Sequence, residues 1–300
     1  MIVFYLKKKE KRLSQNTKAI SALFVTVLLW ASAFVGIRFA MNDFSAGGLA
    51  LFRYLIASIV ISIPFFKLKN KKKPTLNDLI YFFFLGLMGF AIYNIFLNEG
   101  ERTVSAGVAN FIISQMPIIV SIIAFFIFKE RLAKIGIFGF IFSIFGILLI
   151  MLGENEHHLD LGVYYILIAT ITAAIYSASQ KPILKKYHPI EVTTYAIWGG
   201  TLALLFYFPQ MISDLKQSSI HADIAVIYMG IFPGAIAYAL WCYGFKYYPA
   251  TKASSFLYLT PFITIIMAWL LLDEAPHLIA VIGGLIALFG SVLVNRAKIH

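Results

Sequence analysis

The sequence is short of most of what a water-soluble catalyst uses. One cysteine, Cys242, occurs in 300 residues, which excludes an intramolecular disulfide and a cysteine-based metal site. Charged residues make up 13% of the chain. A soluble domain carries about 25%, so this chain cannot clothe a water-facing surface. Six histidines are present, His157, His158, His188, His221, His277 and His300, and none has metal-ligand spacing with a carboxylate on a helix. A Walker phosphate loop, a Gly-x-Ser-x-Gly elbow and paired aspartates inside an apolar run are all missing. The sequence therefore calls for no metal, no cofactor and no enzymatic chemistry.

What it has instead is apolar length. Hydrophobic residues form 60% of the chain and mean hydropathy is +0.84. Runs long enough to cross a bilayer, about 17–25 residues each, recur at 19–41, 45–66, 79–98, 104–128, 133–152, 161–183, 190–209, 222–245, 250–272 and 276–295. A transmembrane barrel would alternate in short segments, which these runs do not. The expectation is an all-α polytopic membrane protein of ten helices. Only Met1–Leu6 precede the first basic cluster, which does not read as a cleaved leader.

A net charge of +11 points to nucleic acid only until the charges are placed. Numbered from a cytoplasmic N-terminus, the cytoplasmic segments hold 21 of the 25 basic residues, Lys67–Lys73 among them. Ten of the 14 acidic residues fall on the opposite side, in segments such as Glu154–Asp160. This is the positive-inside bias. It predicts both termini in the cytoplasm of a plasma membrane, a bacterial inner membrane in kind. The partners implied are a lipid bilayer and a small-molecule substrate, not nucleic acid.

The last third of the chain repeats the middle third. Residues 86–150 moved forward by 144 lie on 230–294 without a gap, with 16 identities over 65 positions. Gly86 meets Gly230, Gly100 meets Gly244, Pro117 meets Pro261, Glu130 meets Glu274 and Gly146 meets Gly290. Duplication predicts a basic segment over 1–18, a five-helix repeat over 19–152 and a second over 161–295. Five is odd, so the copies are inverted about an axis in the membrane plane, an arrangement that serves alternating access.

Polar residues inside apolar spans mark the candidate substrate path. Asn110, Ser114, Pro117 and Ser121 share one face of the fourth span. Their repeat mates are Ser254, Tyr258 and Pro261. Asn94, Asn98 and Glu101 share a face of the third span, and Tyr238 and Trp241 mark the eighth. The sixth adds Tyr176 and Gln180, the first Thr26 and Trp30. Amides are costly to bury without partners, whereas Ser and Thr also bond their own i−4 carbonyls or allow close packing. Asn110 and Ser114 are expected to face Ser254 and Tyr258 across the repeat axis. Pro117 and Pro261 free the carbonyls of Ile113 and Leu257 and predict helix kinks, either lining the path or simply shaping the helix. Arg53 needs an acidic, carbonyl or substrate partner, while Arg38 is near enough to its span end to snorkel. Glu130 and Glu274 sit at symmetry-related helix ends, for backbone capping or proton coupling. Glu99 and Glu101 beside Arg102 suit cation attraction or proton exchange.

Trp30-Ala-Ser-Ala-Phe34, Arg53 in Leu-Phe-Arg-Tyr, Ser105-Ala106-Gly107, Pro117 and Lys129-Glu130-Arg131 resemble landmarks of the drug/metabolite transporter superfamily. Ala250, Pro261 and Asp273-Glu274 repeat them, and the ten-span layout resembles the EamA-type branch. The tryptophan segment is degenerate in the second half (Ala174-Ile-Tyr-Ser177). The resemblance implies a ten-helix carrier exporting small metabolites such as amino acids. A proton or another ion is a candidate coupling partner, uniport the alternative. A polytopic enzyme acting on lipid, an exporter of amphipathic cationic drugs and a non-transporting scaffold are the other readings.

Overall fold

The computed structural model describes residues 2–116, 118–120, 134–154, 161–247 and 255–296. Pro117, Ser121, Glu130 and Ser254 lie outside the described residues. Ten apolar helices follow one another: α1 (Ile2–Ala40), α2 (Ala46–Lys67), α3 (Leu76–Gly100), α4 (Ala106–Ile113), α5 (Lys134–Glu154), α6 (Leu161–Ile183), α7 (Pro189–Gln217), α8 (Ile220–Gly244), α9 (Thr260–Leu272) and α10 (Leu278–Arg296). Helix is the outcome because hydrocarbon offers no partner to an open backbone. α1 begins at Ile2 and runs through the basic stretch before residue 19.

Polar N-caps start four of these helices. Ser45 accepts from the Gly48 amide and Ser219 from the Ala222 amide. Thr75 with Asp78, and His188 with Glu191, form reciprocal capping boxes. Thr75 and Ser219 are 144 residues apart, so the repeat extends to its caps.

The inversion is visible where α5 meets α10. Gly139 lies against the Gly290 carbonyl and Gly146 against the Gly283 carbonyl, so the two helices run antiparallel. Between these contacts the Ser143 hydroxyl donates to the Ala287 carbonyl at 3.3 Å, a pair separated by 144 residues. A residue touching its own repeat mate marks the pseudo-twofold axis. Glycine is required here: a Cβ on Gly146 would stand 2.4 Å from the Ala287 nitrogen. The outer faces of these helices carry exposed Phe138, Ile141, Phe145, Ile282 and Phe289, suited to lipid.

Elsewhere the repeats interlock. Gly86 of α3 packs on Ala196 and Gly200 of α7, whereas its mate Gly230 of α8 packs on Arg53 and Ile56 of α2. Gly100 meets Ile166 of α6, and its mate Gly244 meets Leu23 of α1. Both crossing helices also widen at the same place. Leu87–Ile92 in α3 and Phe232–Ile236 in α8 are single π-helical turns, again one repeat apart. In α8, Pro233 removes an amide from the ladder. Both π turns lie midway along their helices and set the geometry of the interior.

Candidate functional site

Aromatic rings from five helices gather around the two π turns. Trp30 of α1 lies 5.3 Å from Tyr238 and 5.1 Å from Trp241, both of α8. Tyr238 is 5.7 Å from Phe90, which belongs to the first π turn. Phe90 in turn meets Tyr54 of α2 at 5.3 Å and Tyr176 of α6 at 5.2 Å. Most of these pairs meet edge to face or tilted, the geometry aromatic quadrupoles favour. Gly89 makes room for Tyr176, whose ring would lie 2.5 Å from a Cβ there. Trp30, Tyr238 and Trp241 each keep partial exposure although neighbouring rings enclose them. Gln180, half-buried, lies one turn beyond Tyr176.

A polar column on α3 leads from this cluster toward the face opposite the termini, here called the distal face. Asn94 is fully buried and donates to the Tyr54 hydroxyl (3.2 Å) and the Phe90 carbonyl (2.8 Å). Its Oδ1 accepts from Arg53 Nη1 at 3.3 Å. Arg53 is 6% exposed, with its guanidinium 5.5 Å from the Tyr54 ring centre and Nε unpartnered among the described residues. One turn on, Asn98 donates to the Ala46 carbonyl at 2.9 Å while its Oδ1 has no partner among the described residues. Glu101 ends the column, fully buried, with both carboxylate oxygens unpartnered among the described residues. Burial pushes its carboxyl well above the ordinary carboxylate range; Glu274 adds to this, and Arg38 and Arg53 oppose it. Glu99, by contrast, is exposed and pairs with Arg102 at 3.0 Å.

The α4–α9 contact differs from the sequence expectation. Asn110 does not face Tyr258; it donates to the Thr264 hydroxyl at 2.6 Å, and Thr264 reaches the Ala31 carbonyl of α1 at 3.2 Å. The Ser114 hydroxyl bonds the Asn110 carbonyl, its own i−4 group. Tyr258 reaches the Ser291 carbonyl of α10 at 3.5 Å. Pro261 stands in the first turn of α9, after a 3₁₀ stretch over Ser255–Leu259. The Leu257 carbonyl accepts from the Thr260 hydroxyl at 2.6 Å, so it is not an open acceptor facing a cavity.

Sequence reasoning missed Tyr54, Phe90, Gln115 and Thr264. Tyr54 had a signal, being next to Arg53. Gln115, just past the end of α4, is buried, bonding the Phe111 carbonyl and the Ser143 hydroxyl, and as an amide in an apolar run it carried the same signal as Asn110.

At the distal face, polar ties join the connectors. Arg38 does not snorkel: Nε pairs with Glu274 at 2.9 Å and Nη1 donates to the carbonyls of Glu101 and Arg102. Glu274 also accepts from the Ala106 amide at 3.5 Å. Asp214 accepts from the Ser45 amide and hydroxyl, and Asp43 from the Ser219 amide and hydroxyl. The Ser219 bonds hold the Asp43 carboxyl below its ordinary value. Among the described residues, no group of three or more His, Cys, Asp or Glu is placed to hold a metal.

An inverted duplicated bundle, with aromatic and polar groups at its centre and lipid-facing flanks, is the architecture of a multi-pass membrane carrier. The EamA-like transporter family model matches residues 17–152 and 160–296, and the chain belongs to that family. It is 36% identical to the uncharacterized transporter YdfC of Bacillus subtilis, over 91% of this chain and 89% of that one. It is 31% identical to a Streptantibioticus cattleyicolor protein named "Probable terminal-alkyne amino-acid exporter", over 93% and 94%. A solved crystal structure matches with TM-score 0.62 at 16% identity, covering 92% of this chain and 96% of its own, which bears on the fold alone. Family and relatives are transporters, not enzymes.

Proposed function

We propose that this protein exports small zwitterionic metabolites, amino acids or close relatives, by alternating access. The observation that carries the reading is Arg53. A guanidinium so buried is strongly disfavoured without a charge partner, yet among the described residues it makes one hydrogen bond to a neutral amide and no ion pair. In this reading a substrate carboxylate completes it. The substrate's remainder lies among Trp30, Tyr176, Tyr238 and Trp241, with Asn98 and Gln180 supplying amide contacts and Asn94 holding Arg53 in place. The name of the Streptantibioticus relative supports the amino-acid class. The basic bias of the sequence supports cytoplasmic termini, which makes the distal face external.

The test is flux in proteoliposomes with a panel of labelled amino acids, L-phenylalanine included, and amphipathic cations. Losing a charge-assisted hydrogen bond costs about 1.5–3 kcal/mol. Arg53→Gln should therefore weaken amino-acid affinity roughly tenfold to a hundredfold, with Arg53→Lys between it and the parent. The aromatic cluster favours a second reading, because ring faces attract organic cations. Flux of cations but not amino acids, or an Arg53→Gln variant with unchanged affinity, would replace the first reading by the second.

A further inference from the structure

Two carboxylates at the distal end of α3 differ sharply in their surroundings. Glu99 is exposed and paired with Arg102. Glu101, two residues on, is fully buried and among the described residues receives no hydrogen bond on either oxygen. Arg38 comes close but spends its donors on Glu274 and on the backbone carbonyls of Glu101 and Arg102. A native protein seldom seals a polar group away without a partner, and each such case asks for a reason. Of the five orphaned side-chain atoms among the described residues, one, Thr194 Oγ1, stands apart on α7, and the other four lie together. Glu101 Oε1 and Oε2, Asn98 Oδ1 and Arg53 Nε follow one another from the distal end of α3 to the aromatic cluster.

We propose that Glu101 is the proton carrier of this transporter: it binds a proton from the external medium as the distal face closes over it, and releases that proton inward along the α3 polar column in exchange for outgoing substrate. The inference rests on the exporter reading and on the external assignment of the distal face. Its physical basis is that burial without donors is tolerated by a neutral carboxyl and strongly opposed for an ionised one. Closing the distal face therefore requires the proton. Opening it, by parting Arg38 and Glu274 from the 101–106 connector, admits water, which solvates the ionised carboxylate until it is protonated again from outside. The step is balanced without a co-reactant, since a carboxylate and a proton give a carboxylic acid and the reverse. One positive charge moves inward for each zwitterion moved outward.

The groups facing Glu101 set how strongly it holds the proton. Arg38 on α1 and Arg53 on α2 favour ionisation, whereas Glu274 after α9 and burial oppose it. Tyr93, on α3 itself, also feels the charge. Arg102 is turned toward Glu99 and the Phe44 carbonyl. Burial is the largest of these influences and pushes the carboxyl well above its ordinary range. The closed form is accordingly favoured by external acid and lost as external pH rises.

Two measurements on the full chain in proteoliposomes test this. In the first, L-phenylalanine exchange is compared with net flux driven by a pH gradient. One-for-one coupling sustains about a tenfold substrate gradient per pH unit. Glu101→Gln, an isostere of the protonated acid, should keep exchange and lose the response to the gradient, while Glu99→Gln keeps both. In the second, a membrane-impermeant maleimide probes Ala46→Cys at the distal face. Labelling is normalised to the exposed Asn42→Cys, to remove the thiol's own pH dependence, with the Cys242-only parent as background. External acid should protect Ala46→Cys severalfold, and adding Glu101→Gln should leave it protected at every pH. A pH-driven flux that survives Glu101→Gln overturns the proposal, as does protection that ignores pH. If L-phenylalanine does not move but protection follows pH through Glu101, the proton carrier stands and the cargo reading falls.

Discussion

The Asn110–Thr264 contact separates a structural role from a substrate role, and it does so quantitatively. Asn110 is 2% exposed and Thr264 fully buried. Their 2.6 Å bond joins α4 to α9, and the 3.2 Å bond from Thr264 to Ala31 joins α9 to α1. Removing Thr264 alone, by the near-isosteric Thr264→Val, leaves the Asn110 amide buried without its acceptor. That penalty is about 1–3 kcal/mol in a soluble core, whereas interhelical bonds in membranes average about 0.6 kcal/mol with a maximum near 1.7. The membrane figures are the relevant ones, so the coupling energy from Asn110→Ala, Thr264→Val and the double variant should be about 0.5–1.5 kcal/mol. Unfolding in mixed micelles reads this directly. Amino-acid affinity in proteoliposomes should meanwhile stay within about twofold of the parent, because a bond closed between two protein groups offers the substrate nothing. A coupling energy near zero together with a tenfold loss of affinity would refute the structural assignment and return Asn110 to the substrate path.

Further outcomes follow from other contacts. Gly146→Leu should abolish the α5–α10 contact and sharply reduce the yield of monodisperse protein, since even its first carbon meets backbone at 2.4 Å; the lipid-facing Phe145→Leu should not, and size-exclusion profiles compare the two. Trp30→Ala removes a ring that touches both Tyr238 and Trp241 and should lower affinity for L-phenylalanine more than for L-alanine in a flux assay. Asp43 has its carboxyl lowered below 3.8 by the Ser219 bonds, so its contribution is present above that value and disappears as pH falls through the lower one. Amide exchange at Ser219 should speed up on that acid limb, and Asp43→Asn should flatten the dependence. A reporter fused within Lys67–Lys73 should be active on the cytoplasmic side, and external activity there would reverse the orientation.

The architecture was legible because bilayer crossing and duplication both leave marks in composition and spacing. The offset of 144 read from Gly, Pro and Glu reappears physically as the Ser143–Ala287 contact and as paired π turns. The details of the site were less legible. Helical periodicity put Asn110 on a polar face, yet it cannot say which residue of α9 stands opposite, and a three-residue difference separates Tyr258 from Pro261 and six from Thr264. The shared face of Asn94, Asn98 and Glu101 was readable, whereas the lack of partners at its distal end was not, because a missing contact is a property of three dimensions. The π turns carry no periodic signature, so Phe90 passed as one more apolar residue.

Interlocking has a consequence for how the chain is made. The partners of α8, on α1 and α2, have already left the ribosome when α8 appears. The partners of α3, Ala196 and Gly200, follow Gly86 by about a hundred residues, or about 5–20 s of synthesis at typical rates. Through that interval the glycine face of α3 lacks its counterpart and sits against lipid or against the insertion machinery. A molecule symmetric in space is thus asymmetric in time: its first half waits, and its second half docks onto what is waiting.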